Sequence, residues 1–401
     1  MLAKFALRNV SRNRRRSIVA VATVGIGVFG LLFLQSFFSG LLAMHADNSI
    51  HSRHGHGQVT TKGYWGQSFE TPSDHWIENP QIVVAALRAD PAVLEAFPRV
   101  QFFSLLSNGK VNVAGRGQGV DGAREQTFFT KMNYIAGGPI ATHEDGIVLG
   151  VGLATALGVA VGDRVTVLGH TVHNTINAID TTVTGIFHVG LKEADDMLFQ
   201  VQISQAHILL DTDKVESIAI GLKNDNAWAA LTPMIAREFP QLEAMSVFEI
   251  DKVWAENGRL FLTALMNVFR LTLVGMILLA IYNSASNTVL ERKRELGMLR
   301  ANGESAGDLV RLLVIEGTAL AVMGSALGVF LILATNLIAA HGIIMPPTPG
   351  TNRALPVKLD LQWAHIASAV AIGVFASLAA TLLSTLQVTR LSIVKAIRAP
   401  L

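Results

Sequence analysis

Four long apolar runs divide the chain, at about residues 18–42, 260–282, 309–340 and 364–386. Each exceeds the roughly 20 residues that a helix needs to cross a hydrocarbon core. Between the first and second runs the pattern changes. Short β-type stretches at 110–114, 146–149, 164–168, 181–189, 199–203 and 217–222 alternate with helical periodicity at 81–89, 152–157 and 227–239. Gly158, Gly162-Asp163 and Gly185 punctuate the turns. The pattern predicts a membrane α-helical protein with four transmembrane helices and a large mixed α/β domain between helices one and two.

Charge then orients the spans. Half the residues are apolar and only 15% are charged, against roughly 25% in an average soluble domain. Lys4, Arg8, Arg12, Arg14, Arg15 and Arg16 precede the first run. Arg292, Lys293, Arg294, Arg300 and Arg311 lie between or border the second and third, and Arg390, Lys395 and Arg398 follow the fourth. The connection between runs three and four offers only Arg353 and Lys358. The positive-inside rule places both termini and the 283–308 connection in the cytosol, and 44–258 and 341–363 outside. The first run is well beyond the 7–15 residues of a signal-peptide core, so it reads as a span. With no cysteine, the outward domain must be held by an ordinary hydrophobic core. A net charge of +2 gives no footprint for nucleic acid, because topology already accounts for the basic clusters.

These boundaries divide the chain into an interfacial helix at 1–16, a first span at 17–43, the outward α/β domain at 44–258 and a stalk with the second span at 259–287. A coupling helix follows at 288–304, then the third span at 305–340, an outward loop at 341–363 with the rigid turn Met345-Pro-Pro-Thr-Pro-Gly350, the fourth span at 364–387 and a tail at 388–401. Phe5, Leu7 and Val10 alternate with basic residues in the first segment. This suits a helix on the inner membrane surface as well as it suits a plain topogenic tail.

The segment Thr288-Val-Leu-Glu-Arg-Lys-Arg-Glu-Leu-Gly-Met-Leu-Arg-Ala-Asn-Gly303 is the most informative stretch. Glu291 precedes Arg294 by three residues, which pairs opposite charges on one helical face. Leu296, Met298 and Leu299 add a short apolar edge suited to a soluble partner. Asn302-Gly303 is a helix stop, and Ser305 with Asp308 has the spacing of a capping box. A charged helix with one apolar edge, joined rigidly to a membrane helix, can pass force between a cytosolic motor and the membrane. On this reading, Leu296→Asp or Leu299→Asp uncouples the motor and leaves insertion intact.

Candidate chemistry is sparse. No Walker A pattern occurs, and Gly109-Lys110 lacks the upstream glycine and the following Ser/Thr. No catalytic residue is assigned, and hydrolysis must come from a separate subunit. His51, His54 and His56, with His45 upstream, suggest a transition-metal site, but no cysteine or paired carboxylate completes a ligand set, so no metal is assigned. His143-Glu144 begins like a zinc-protease helix and fails at Ile147. Arg270 lies inside the second run, where a guanidinium costs roughly 2.5–3.5 kcal/mol. It either lines an inward cavity or snorkels and pairs with a stalk carboxylate such as Glu256. Glu316 in the third run needs a partner, with Arg311 and the N-terminal arginines as candidates. Gly324 and Gly328 form a Gly-x-x-x-Gly packing motif, and Gly25, Gly27 and Gly30 carry the same message in the first run.

Glu291-Arg-Lys-Arg-Glu-Leu-Gly-Met-Leu-Arg-Ala-Asn-Gly303 resembles the coupling segment of the membrane subunits of type VII ABC transporters, the MacB/LolE/FtsX class. Leu313-Val-Ile-Glu-Gly317 and Val388-Thr-Arg-Leu-Ser-Ile-Val-Lys-Ala-Ile-Arg398 are similar to the class at the third span and the C-terminus. Gly146-Ile-Val-Leu-Gly-Val-Gly-Leu-Ala154, Leu157-Gly-Val-Ala-Val-Gly-Asp-Arg-Val165 and Gly55-His-Gly-Gln-Val59 resemble its periplasmic core. The last of these matches weakens the metal reading of His56.

The resemblance covers essentially the whole chain, and one departure is Asn302 followed by Gly303-Glu304, where small or basic residues usually follow the glycine. It implies a bacterial inner-membrane protein with a MacB-like periplasmic domain. It also implies pairing with a second permease copy or paralogue, and cytosolic ABC ATPase subunits that carry ATP and Mg and grip Glu291, Arg292, Arg294, Glu295, Leu296, Gly297, Met298, Leu299, Arg300 and Gly303. The layout is closest to the lipoprotein-releasing LolC/LolE permeases, without the fused ATPase of MacB pumps and with a larger outward domain than FtsX regulators. It implies contact with membrane lipids and with a periplasmic carrier or adaptor. The expected activity is release of a lipoprotein or other lipophilic cargo. Mechanotransmission and envelope regulation are the alternatives.

Overall fold

The computed structural model describes residues 14–66, 72–140, 143–189, 192–224, 227–251, 258–346 and 354–389. Most of the interfacial segment 1–16, Glu256, most of the proline turn after Met345 and nearly all of the C-terminal motif lie outside the described residues.

In chain order the elements begin with α1 (Arg14–Ser49), β1 (Gly57–Thr61), α2 (Pro80–Ala89), β2 (Val93–Ser107), β3 (Asn112–Val120), β4 (Asn133–Gly137), β5 (Gly146–Gly150) and α3 (Val151–Leu157). They continue through β6 (Arg164–His170), β7 (Ile176–His188), β8 (Leu198–Gln202), α4 (Ile203–Leu210), β9 (Ser217–Leu222), α5 (Trp228–Glu238) and β10 (Leu242–Ser246). The long helices α6 (Arg259–Glu291), α8 (Ala306–Ile338) and α9 (Trp363–Thr389), with the short α7 (Lys293–Ala301), complete the frame. Among the described residues four helices are long and apolar enough to cross a membrane, with α1 continuing through a π-helical turn to His54. The first helix therefore runs well past residue 43, where the apolar run fades.

The chain forms two compact units. In the mixed α/β unit the strand order is β10-β1-β9-β2-β3-β8-β5-β7-β4, with β6 beside β2 and β7. The 15-residue β2 crosses between two lobes. Its first half pairs with β9 and faces a core of Val59, Leu87, Ile218, Ile220 and Ile235. Its second half pairs with β3 and β6 over Leu106, Ile147, Leu149, Leu153 and Phe199. Local pattern misses this strand, since Pro98 demotes a strand assignment and the change of core interrupts the alternation.

Polar groups tie the two lobes at the crossing. Arg99 is 1% exposed; its Nε donates to Glu125 Oε1 at 2.7 Å, and it stacks 3.9 Å from the Phe129 ring centroid. A further N–H donates to the Arg53 carbonyl, which pins the exit of α1 to the sheet.

Glu216, just before β9, accepts from Tyr64 Oη at 3.2 Å and from the Gln101 backbone N–H at 3.0 Å. Burial pushes its carboxyl up to about 7 from 4.5, against those two hydrogen bonds. The folded value lies above the unfolded one, so the associated stability is fully present below pH 4.5 and is lost as pH rises through about 7. The whole shift is worth about 3 kcal/mol. Glu216→Gln can keep both contacts by turning its amide toward Tyr64. The variant is expected to lose this part of the slope, measured as the difference from wild type in thermal unfolding of the full chain between pH 5 and 8.

The membrane unit is held by close backbone approach. A Cβ on Gly324 would lie 2.5 Å from Val24 Cβ, and one on Gly328 would lie 2.8 Å from the Gly25 carbonyl oxygen. The Gly-x-x-x-Gly motif of α8 thus seats against α1, as small-residue packing in a membrane requires.

Candidate functional site

The helix expected at 288–304 is split, its start belonging to α6 and the rest to the separate α7. Helix α6 runs without interruption to Glu291, and the chain turns at Arg292 (φ −94°, ψ 11°) into α7. Leu296 N–H donates to the Arg292 carbonyl at 2.9 Å, so Arg292 opens the new helix. The far end is closed by a left-handed Gly303 (φ 98°), with Gly303 N–H on the Arg300 carbonyl and Glu304 N–H on that of Leu299. Ser305 then caps α8, its hydroxyl oxygen accepting from Asp308 N–H at 3.1 Å. The stop and restart fall where Asn302-Gly303 and Ser305 predict.

The two faces of α7 differ from the expected apolar edge. Leu296 is 1% exposed and packs in a cluster with Val289, Leu309 and Leu313, with Leu299 against its margin. Only Met298 of the three apolar residues is exposed. The outer stripe of α7 is instead Arg294, Met298 and Ala301, spaced 4 and 3, which is one face of a helix, and Glu291 is exposed at the end of α6. Gly297 is buried, Glu295 and Arg300 are half-buried, and Gly303 is exposed. Sequence spacing could not separate these faces, because helical phase restarts at Arg292.

The same break redirects the ion pairs. The expected Glu291–Arg294 pair is not formed among the described residues. Arg292 Nε donates to Glu295 Oε2 at 2.8 Å, and its Nη1 to Glu316 Oε2 at 3.0 Å. Arg292 and Glu316 are 6% and 4% exposed. Arg292 is therefore a partner of Glu316. Arg311 is largely exposed and lies 3.7 Å from Asp308. Five residues before Glu316 on the same helix, it faces elsewhere. A cavity of about 60 Å³ lies beside Glu316, with Thr23 from α1, Ser284 from α6, Gly317 from α8 and Thr381 from α9 in its lining.

Arg270 is half-buried on α6 and makes no ion pair among the described residues. The histidines around the end of α1 are held by local contacts, and the His51 and His56 rings pack edge-on against each other and both lie against Phe128. His45 lies 3.4 Å from Asp251, His51 lies 2.9 Å from Asp47, His54 is buried, and His56 Nδ1 accepts from Leu222 N–H at 3.0 Å. Among the described residues no group of three or more His, Asp or Glu is placed to hold a metal ion.

Residues 17–237 match the family model described as the MacB-like periplasmic core domain, and residues 256–393 match the FtsX-like permease C-terminal model. The lipoprotein-releasing system transmembrane protein LolC of Xylella fastidiosa is 25% identical over 340 residues, covering 80% of this chain and 78% of that protein. LolC of Neisseria meningitidis is 29% identical over 197 residues, 46% of each chain. The periplasmic region of MacB from Actinobacillus actinomycetemcomitans aligns in structure with a TM-score of 0.38 and 13% identity, over 52% of this chain and 95% of that one. The second family model spans α6, the turn at Arg292, α7 and α8, so the two-faced helix lies inside the matched permease region. The chain belongs to the MacB-like, FtsX-like class of ABC-transporter permeases.

Proposed function

We propose that this permease couples ATP hydrolysis on separate cytosolic subunits to movement of the α/β domain, and that its cargo is a lipoprotein or another lipophilic molecule drawn from the inner membrane. ATP and Mg sit on the partner subunits, and the permease acts as a pair with a second copy or a paralogue. Charge supports the orientation, with both termini and α7 in the cytosol and residues 44–258 in the periplasm. The observation that carries the reading is the asymmetry of α7. Leu296 and Arg292 clamp one side to the membrane helices, while Arg294 and Met298 face solvent, a charge beside an apolar knob, with Glu291 exposed at the end of α6. The LolC relatives favour lipoprotein release. The MacB-like periplasmic core favours a second reading, in which the domain moves a periplasmic partner and nothing crosses the bilayer.

The chain has no cysteine, so Met298→Cys gives a single label site. An impermeant maleimide is expected to label it in inside-out vesicles and not in intact spheroplasts. Co-expressed ABC ATPase subunits are expected to co-purify with the wild-type chain. Labelling from the periplasmic side, or a chain that never retains an ATPase subunit, would sink the proposal. A diacylglyceryl peptide in the purified complex separates lipoprotein release from the second reading.

A further inference from the structure

We infer that the Arg292–Glu316 ion pair is the joint through which α7 moves the membrane helices, an inference that rests on the proposed coupling function. Arg292 is the single residue at the break between α6 and α7. One edge of its guanidinium holds Glu295 on α7, and another holds Glu316 on α8. A tilt of α7 about the break therefore pulls on α8 through a charged, directional contact as well as through the greasy Leu296 cluster. Glu316 is the point at which that pull reaches the other spans, because the cavity beside it is lined from α1, α6, α8 and α9. A Cβ on the neighbouring Gly317 would lie 2.7 Å from Thr381 Oγ1, so α8 and α9 are in close contact at this level.

The pair is poorly explained by stability alone. A buried ion pair is often replaced by apolar residues at no loss. Arg292 Nη2 is buried and has no hydrogen-bond partner among the described residues, which adds a desolvation penalty. Coupling gives this arrangement a purpose that an apolar contact lacks, since the fork fixes direction between two helices. Arg292 and Glu316 are in this sense positioning residues.

The test uses the double variant Arg292→Met/Glu316→Leu, which removes both charges together and leaves the exposed Glu291, Arg294 and Met298 intact. Spin labels at Leu260→Cys and Ile338→Cys, on the outer ends of α6 and α8 and both exposed, report their separation in the reconstituted complex. The double variant is expected to unfold within a few degrees of wild type and to retain its ATPase subunits. The ATP-dependent change in separation seen in the otherwise wild-type labelled chain is expected to disappear. Arg292→Lys, which keeps the charge without the fork, is expected to leave a reduced change. An undiminished change in the double variant overturns the joint and leaves the proposed function standing. Absence of any ATP-dependent change in the otherwise wild-type chain overturns both.

Discussion

Leu296→Asp is expected to destabilise the membrane unit by more than about 3 kcal/mol, because it removes a buried leucine and leaves a carboxylate without a partner. Leu296 is 1% exposed, inside the cluster of Val289, Leu309 and Leu313. The protein should be recovered poorly and unfold early in detergent, so any loss of ATPase coupling would be secondary. Met298→Asp, two residues on, is expected to behave in the opposite way. Met298 is 49% exposed on the outer stripe, so the variant should insert and unfold like wild type. If this face docks on the ATPase as proposed, a carboxylate there should weaken ATPase binding at least tenfold, the equivalent of about 1.4 kcal/mol. Thermal unfolding and ATPase retention, measured on both variants, separate the two outcomes. A stable Leu296→Asp chain, or a Met298→Asp chain with wild-type ATPase retention, would show that the faces of α7 have been assigned the wrong way round.

Glu125→Ala should cost about 3–5 kcal/mol, the range for removing one partner of a buried pair. Arg99 would keep its contact with the Arg53 carbonyl and the Phe129 ring, but its charge would have no counter-ion in a site 1% exposed. The effect should also reach the exit of α1, since Arg53 lies in the π-helical turn that ends it. Glu95→Ala is the control. Glu95 pairs with the half-exposed Arg88 and Arg124, and such pairs contribute under about 1 kcal/mol. Denaturant unfolding of both variants measures the contrast. Equal small losses would mean that water reaches Arg99.

The four spans, their likeness to the permease class and the stop at Asn302-Gly303 were legible because each depends on a local signal. Apolar run length, a glycine that adopts positive φ and a serine with cap spacing require no distant partner. The β2 strand was missed for the converse reason, since its residues answer to two cores and carry a proline. Arg292 is a partner of Glu316 that the sequence candidates, Arg311 and the N-terminal arginines, do not include, because nearness in sequence is a poor guide across a helix break. The apolar edge expected on α7 is divided by Leu309 and Leu313 on the next helix, which cover Leu296 and the margin of Leu299 and leave Met298 exposed.

From its residues alone this chain specified a four-span frame with an α/β insertion, because hydrophobic length and periodicity act segment by segment. Tertiary structure alone decided which side of α7 is clamped and which is offered, and that Arg292 reaches Glu316. Those facts turn on a single non-helical residue that resets helical phase, and on a salt bridge between groups 24 positions apart; no local pattern encodes either.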